Sequence, residues 1–301
     1  MAVTNPISRN PLTHGARQTK IILEMIKIEH TVFMLPFALM AAVIAGHSDW
    51  RHLAHTLPWI LLAMVGARSA AMAFNRIVDR EYDARNPRTA MRALPAGLLT
   101  VPQVALFTVI ASAMLVLAAW ELNPLAFALS PIALALALGY SYTKRFTAFS
   151  HFFLGLALAV APVGAWVAVT GRIDLPALWL GGAVVCWLFG FDILYALQDT
   201  EFDQSNGLHS MPALLGNAGA MRVSRLSHVV MIGLLVMAGL SAHLGTIYFA
   251  AIALAAGLVA WEQSLVKPDD LSRLNLAFFT LNGYISAGLF ALTLLDVLTG
   301  L

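Results

Sequence analysis

The sequence is short of charge and almost without cysteine. Of its 301 residues 11% are charged and 59% are hydrophobic. Soluble domains carry roughly 25% charged residues, so this shortage excludes an ordinary soluble protein and indicates a membrane protein. The single cysteine, Cys186, excludes an intrachain disulfide and leaves the redox compartment open. A formal net charge of +2 gives no footing for a nucleic-acid partner, and none is expected. No tract is of low complexity. The N-terminus carries Arg9, Arg17, Lys20 and Lys27 but no short apolar core followed by a small-residue cleavage site, so no secretory signal is expected.

What the sequence does have is long apolar runs. Residues 1–20 are polar and read as an N-terminal arm; residues 21–301 read as one transmembrane domain. Within it, stretches of membrane-spanning length, roughly 20 residues each, fall near 26–46, 58–78, 101–121, 124–142, 150–170, 175–197, 223–243, 245–263 and 276–298. The fold class expected is all-α and multi-pass, with nine spans. The loops at 79–100, 142–149, 198–222 and 264–274 then share a side with the arm. They carry Arg80, Arg85, Arg88, Arg92, Lys144, Arg145, Arg222, Lys267 and Arg273, against only Arg51 and Arg172 opposite. By the excess of Lys and Arg in cytoplasmic loops, the N-terminus is expected in the cytoplasm of an inner-membrane protein.

Two acidic rows end on that same side. Asn75, Asp79 and Asp83 are spaced i, i+4, i+8, one stripe of a helix, and Arg68 lies seven residues earlier on the same face. Asp192, Tyr195, Asp199 and Asp203 form a second stripe four spans later. The repeat suggests two related halves, spans 1–4 and 5–8, with a site at their junction. A single row of this kind has a bland explanation, an interfacial ion-pair cluster with Arg76 and Arg80. A buried Asp192, likewise, is more often protonated or hydrogen-bonded than catalytic. Arg68 weighs against blandness, because an unpaired guanidinium at that depth costs at least ~2.5 kcal/mol and needs an anion. The repetition weighs more. Four close carboxylates repel one another unless cations lie between them. Magnesium suits such a site, since it takes oxygen ligands from one or two carboxylates plus substrate phosphates. Zinc would want His or Cys, and the histidines are scattered. Basic loops flank both rows and suit phosphate: Arg85 to Gly97, Tyr140-Ser-Tyr-Thr-Lys144-Arg145, and Asn206-Gly-Leu-His209-Ser210. Basic cytoplasmic loops are the rule in membrane proteins, but that rule does not explain why they flank the acids.

These segments, Asn75-x3-Asp79-x3-Asp83, Arg92-x-Leu94-Pro95-x-Gly97, Tyr140-x3-Lys144-Arg145-Phe-Thr and Asp192-x2-Tyr195-Ala-x2-Asp199-x3-Asp203, together resemble the intramembrane aromatic prenyltransferases of the 4-hydroxybenzoate polyprenyltransferase type. The resemblance runs from about Ile28 to the last span. It implies nine transmembrane helices around a central cavity with a cytoplasmic cap, and two Mg2+ ions bridging a polyprenyl diphosphate. Carried over by position, Asn75, Asp79, Asp83, Asp199 and Asp203 hold metal and diphosphate, while Arg92, Lys144 and Arg145 neutralise the diphosphate. Asp192 and Tyr195 face the acceptor ring or the allylic carbon, and Arg68 orients an acceptor carboxylate. Asp192, Asp79 and Asp199 are the expected catalytic residues. Tyr140, His209, Ser210 and His30 complete the expected substrate contacts. The partners implied are a polyprenyl diphosphate, an aromatic acid and the lipid bilayer. Glu29-His30-Thr31 replaces the Asp-Lys-Pro of ubiquinone enzymes. With Gly207-Leu-His209-Ser210-x-Pro212 it looks more like the branch serving an alternative menaquinone route, whose acceptor is a dihydroxynaphthoate. Two other readings stand beside this one: an ion-coupled transporter, and a relative acting on haem or a glycerol phosphate. The transporter reading is weakened because the carboxylates crowd one surface and no Gly or Pro interrupts either row.

Overall fold

The computed structural model describes residues 20–26, 31–274 and 276–301. Long helices account for nearly all of it: α1 (Thr31–Gly46), α2 (Trp50–Val78), α4 (Val101–Leu122), α5 (Pro124–Thr143), α6 (Ser150–Thr170), α7 (Leu175–Ala196), α9 (Met211–Ser241), α10 (Thr246–Leu265) and α11 (Asn282–Thr299). Two short helices, α3 (Arg80–Arg85) and α8 (Thr200–Ser205), follow α2 and α7. The helix starts follow local chemistry. Proline stands in the first turn of α4, α5, α7 and α9, where a missing N–H costs nothing. The Asp49 carboxylate accepts from Arg51 and His52 N–H at the start of α2, and the Asn123 amide oxygen from Ala126 N–H at the start of α5.

Among the described residues eight helices are long and apolar enough to cross a membrane, and the stretch at Met34–Gly46 is apolar but shorter. The first expected span, 26–46, falls partly outside the described residues. α9 begins at Met211 rather than near 223, with a break at Gly216, whose φ of +67° only glycine adopts readily. α11 begins at Asn282 rather than near 276, after a π-helical turn at Leu276–Leu281.

α7 is the central helix. Leu180, Val184, Trp187 and Ile193 are fully buried along it, and it packs against α6 and α9. Gly155 on α6 permits the close approach: a Cβ there would lie 2.8 Å from the Val185 carbonyl oxygen of α7. A buried polar chain ties α7 to its other neighbours. Trp187 Nε1–H donates to Asn282 Oδ1 at 2.7 Å, and Asn282 Nδ2 donates to Glu262 Oε1 at 3.1 Å. Away from water such groups must be paired within the protein, which locks α7, α10 and α11 in register. The outer surface is apolar where lipid would lie: Leu106, Val109, Ile110, Leu117 and Trp120 all project outward from α4.

Candidate active site

Neither acidic row is a continuous helix. α2 ends at Val78, Asp79 has φ −92° and ψ 5°, and six-residue α3 follows. In the second row α7 ends at Ala196, a 3-10 turn covers Leu197–Asp199, Asp199 has φ −106° and ψ 7°, and six-residue α8 follows. The middle aspartate thus breaks each row at the same place, without Gly or Pro. Asp83 and Asp203, four residues on, are buried in both short helices. The ends of the two acidic rows are therefore alike in backbone as well as in sequence. In the first, Asp79 N–H still donates to Asn75 O and Asp83 N–H to Asp79 O, so the row stays on one side.

Asp79, Asp83, Asp199 and Asp203 each have a basic partner from a loop or helix end nearby. Arg88 grips Asp199 with two bonds, Nη2 to Oδ2 at 2.5 Å and Nε to Oδ1 at 3.1 Å. Its Nη1 donates to Tyr195 Oη at 3.2 Å. Asn86 Nδ2 adds a bond to Asp199 Oδ1 at 3.3 Å. Arg92 Nη1 donates to Asp83 Oδ1 at 2.7 Å. The Lys144 ammonium lies 2.7 Å from Asp203 Oδ1, out of line for a hydrogen bond, so this is a charge contact. Arg145 donates to the Val78 carbonyl at 2.7 Å, lies 3.8 Å from Asp79 Oδ1 and stacks over Tyr82 and Tyr142. Asn75 Nδ2 donates to Asp79 Oδ2 at 2.8 Å. The carboxylates were expected to need metal to sit so close; here arginines and a lysine neutralise them one by one.

Burial pushes the Asp79 carboxyl up from its ordinary 3.8 to about 6; Asp83 acts in the same sense, Arg145 and Asn75 against it. Between those two values the folded protein binds more protons than the unfolded chain. This group therefore makes stability fall as pH rises through the window, and the effect levels off above about pH 6. Asp79→Asn should flatten that slope. Thermal unfolding of metal-free protein in detergent, scanned from about pH 4 to about pH 7, measures it, and parallel curves for the two proteins would refute it. At Arg88 burial works to lower the pKa, but the bonds to Asp199 outweigh it and raise it.

These groups surround a polar cavity of about 350 Å3. Arg68, Asn75, Asp79, Asp83, Arg92, Tyr140, Lys144, Arg145, Asp192, Tyr195 and Asp199 all line it. A second cavity of about 510 Å3, lined almost wholly by apolar side chains of α2, α4, α5, α6 and α7, lies against the first. Met34, Arg68, Met72, Tyr140, Leu154 and Leu158 belong to both walls, so Arg68 and Tyr140 stand at the neck. Arg68 Nε is buried there without a hydrogen-bond partner among the described residues.

Three expected site residues lie elsewhere, and one is out of sight. Asp203 is fully buried behind the cavity wall against Lys144. His209 has an exposed side chain, and its backbone N–H donates to the Lys144 carbonyl at 2.8 Å, tying one loop to the next. The Ser210 hydroxyl is buried and accepts from Ala213 N–H, capping α9. Neither His209 nor Ser210 lines either cavity. His30 lies outside the described residues.

The fit to a divalent cation is partial and of the right kind. Among the described residues no three His, Cys, Asp or Glu side chains form a metal cage. Asp83 Oδ2, on the cavity wall, nevertheless has no hydrogen-bond partner among the described residues, and the groups that could ligate an ion there offer oxygens. Such a set suits an ion that completes its shell with water and phosphate oxygens.

The UbiA prenyltransferase family pattern matches residues 34–284. The chain belongs to this family. It is 33% identical over 238 residues, 79% of this chain and 81% of the relative, to the 4-hydroxybenzoate octaprenyltransferase of Nitrosospira multiformis. Among solved structures, the UbiA homolog from Aeropyrum pernix superposes with a TM-score of 0.81 at 33% identity, covering 89% of this chain and 98% of that one. The fold is also that of the UbiA homolog from Archaeoglobus fulgidus bound to DMAPP and Mg2+, with a TM-score of 0.71 at 20% identity over 93% and 99% of the two chains.

Three residues of this UbiA member take part in the site without any motif to mark them. Arg88 was visible only as one of several basic loop residues; nothing local marks it as the partner of Asp199. Arg76, by spacing an interfacial partner of Asp79, is buried and lines the polar cavity. His151, in the first turn of α6, has Nδ1 2.7 Å from Asp192 Oδ2. Its only sequence signal is a histidine at the start of an otherwise apolar span.

Proposed function

We propose that this protein transfers a polyprenyl group from a polyprenyl diphosphate to the ring of a hydroxylated aromatic acid in quinone biosynthesis. The observation that carries the reading is the pairing of a charged cavity with an apolar one through a neck at Arg68 and Tyr140. A diphosphate with an isoprenoid tail has this division of character. Family membership and the name of the Nitrosospira relative support the same reading.

In this reading Arg88, Arg92 and Arg145 exchange their carboxylate partners for diphosphate oxygens, Lys144 adds its charge while still held by Asp203, and the freed aspartates turn to cation binding. Asn75, Asp79, Asp83 and Asp199 are the proposed holders of two Mg2+, with Asp203 positioning Lys144. When bound, the metal stabilises the charge that develops on the departing diphosphate. The arginines and Lys144 act on the same charge as the allylic C–O bond loosens. The apolar cavity receives the tail and keeps water from the allylic cation. Arg68 pairs with the acceptor's carboxylate at the neck. Asp192 accepts a proton from the acceptor, with Tyr195 beside it on the same wall. The excess of Lys and Arg in these loops supports an active site open to the cytoplasm.

The acceptor is 4-hydroxybenzoate or a dihydroxynaphthoate. The relative's name supports the first, and the Glu29-His30-Thr31 and Gly207-Leu-His209-Ser210 segments support the second. Purified protein in detergent, given Mg2+, geranyl diphosphate and each acid in turn, should yield a C-prenylated product whose mass names the acceptor. Chelating the metal should stop the reaction. No prenylated product from either acid would overturn the reading.

A further inference from the structure

His151 stands behind Asp192 as seen from the polar cavity. Asp192 lines that cavity and His151 does not, and the His151 side chain is only 5% exposed. Its Nδ1 lies 2.7 Å from Asp192 Oδ2, while its Nε2 is buried with no partner among the described residues. Gly155, one turn along α6, lets the backbones of α6 and α7 approach closely enough for the ring to reach the carboxylate. Burying a polar ring with one nitrogen unpaired costs free energy. A leucine would fill the space without that cost, so packing does not explain the histidine.

We propose that His151 is a positioning residue that fixes the Asp192 carboxylate for the acceptor. An ionised carboxylate only accepts hydrogen bonds, so the proton of a neutral ring sits on Nδ1. That N–H holds Oδ2 and leaves Oδ1 to face the cavity. Without it the carboxylate is loose, because the final torsion of an aspartate is broad and roughly two-fold. The proposal rests on the reading of Asp192 as the group that meets the acceptor. In that step the acceptor's O–H or ring C–H bond breaks. Its electron pair stays on the ring system, and the proton passes to Asp192 Oδ1 while His151 keeps its own.

The test compares His151→Asn, His151→Gln and His151→Leu with Asp192→Asn and the double variant His151→Leu/Asp192→Asn. Asparagine places an amide N–H near the position of Nδ1; glutamine places it near Nε2. His151→Leu and His151→Gln should lower kcat about tenfold, the scale of one hydrogen bond. The KM values for prenyl donor and acceptor should stay within about twofold of wild type. His151→Asn should recover most of the loss, and adding His151→Leu to Asp192→Asn should cost nothing more. The comparison of asparagine with glutamine keeps the test open if the leucine variant does not fold. Wild-type kcat in both His151→Leu and His151→Gln, equal losses in the asparagine and glutamine variants, or multiplying losses in the double variant would overturn the proposal while leaving the role of Asp192 intact. Full activity in Asp192→Asn would overturn both.

Discussion

Asp199→Asn is expected to lower Mg2+-dependent prenyl transfer by about 10²–10³-fold, the range seen when one electrostatic stabiliser of a transition state is removed. Asparagine keeps the volume of the side chain and one acceptor oxygen. It loses the negative charge that balances Arg88 and that, in the proposed function, would balance a bound cation. Arg88 holds Asp199 through two bonds and is itself about a third exposed, with a side-chain accessibility of 35%. Its charge can therefore turn to water in the variant, which keeps the cost in stability small although the Asp199 side chain is itself only 13% exposed. The expected pattern is a large loss of rate with a melting temperature near that of wild type. A magnesium titration at fixed donor and acceptor measures it. Wild-type turnover in Asp199→Asn would remove this residue from the proposed metal and diphosphate site.

The second expectation concerns the neck between the cavities. Arg68→Met should raise the KM for the aromatic acid by about 10- to 100-fold, since a charge-assisted hydrogen bond to a carboxylate is worth ~1.5–3 kcal/mol. The KM for the prenyl diphosphate should change little, because the proposed function places its charged end on Arg88, Arg92, Lys144 and Arg145 instead. Stability should move the other way. Arg68 Nε is buried without a hydrogen-bond partner among the described residues, and methionine matches much of the arginine stem. Replacing a poorly satisfied buried cation by an apolar side chain of similar length is often neutral or stabilising. Steady-state kinetics and thermal unfolding of the same preparation give both readings. A large fall in melting temperature with an unchanged acceptor KM would make Arg68 a structural residue.

Much of the lining of the polar cavity was legible because its signals are local. A spacing of four along a helix puts Asn75, Asp79 and Asp83 on one side whatever surrounds them, and the structure keeps them there despite the break at Asp79. That break was not legible. A helix end without Gly or Pro depends on where the chain leaves the bundle and meets its neighbours. Ser210 shows the converse: placed among phosphate-suited residues by its loop, it serves the local demand of a helix N-terminus instead.

From the sequence alone came the membrane character, the two acidic rows, the family resemblance and most of the residues that line the polar cavity. Each follows from composition or from a helical period, which act over a few residues. Only the tertiary structure decided that Arg88 closes on Asp199, that His151 stands behind Asp192, and that a charged and an apolar cavity meet at Arg68 and Tyr140. These pairings join residues 111 and 41 positions apart. They are set by how closely helices pack, as at Gly155 against Val185, and no pattern along the chain encodes that distance.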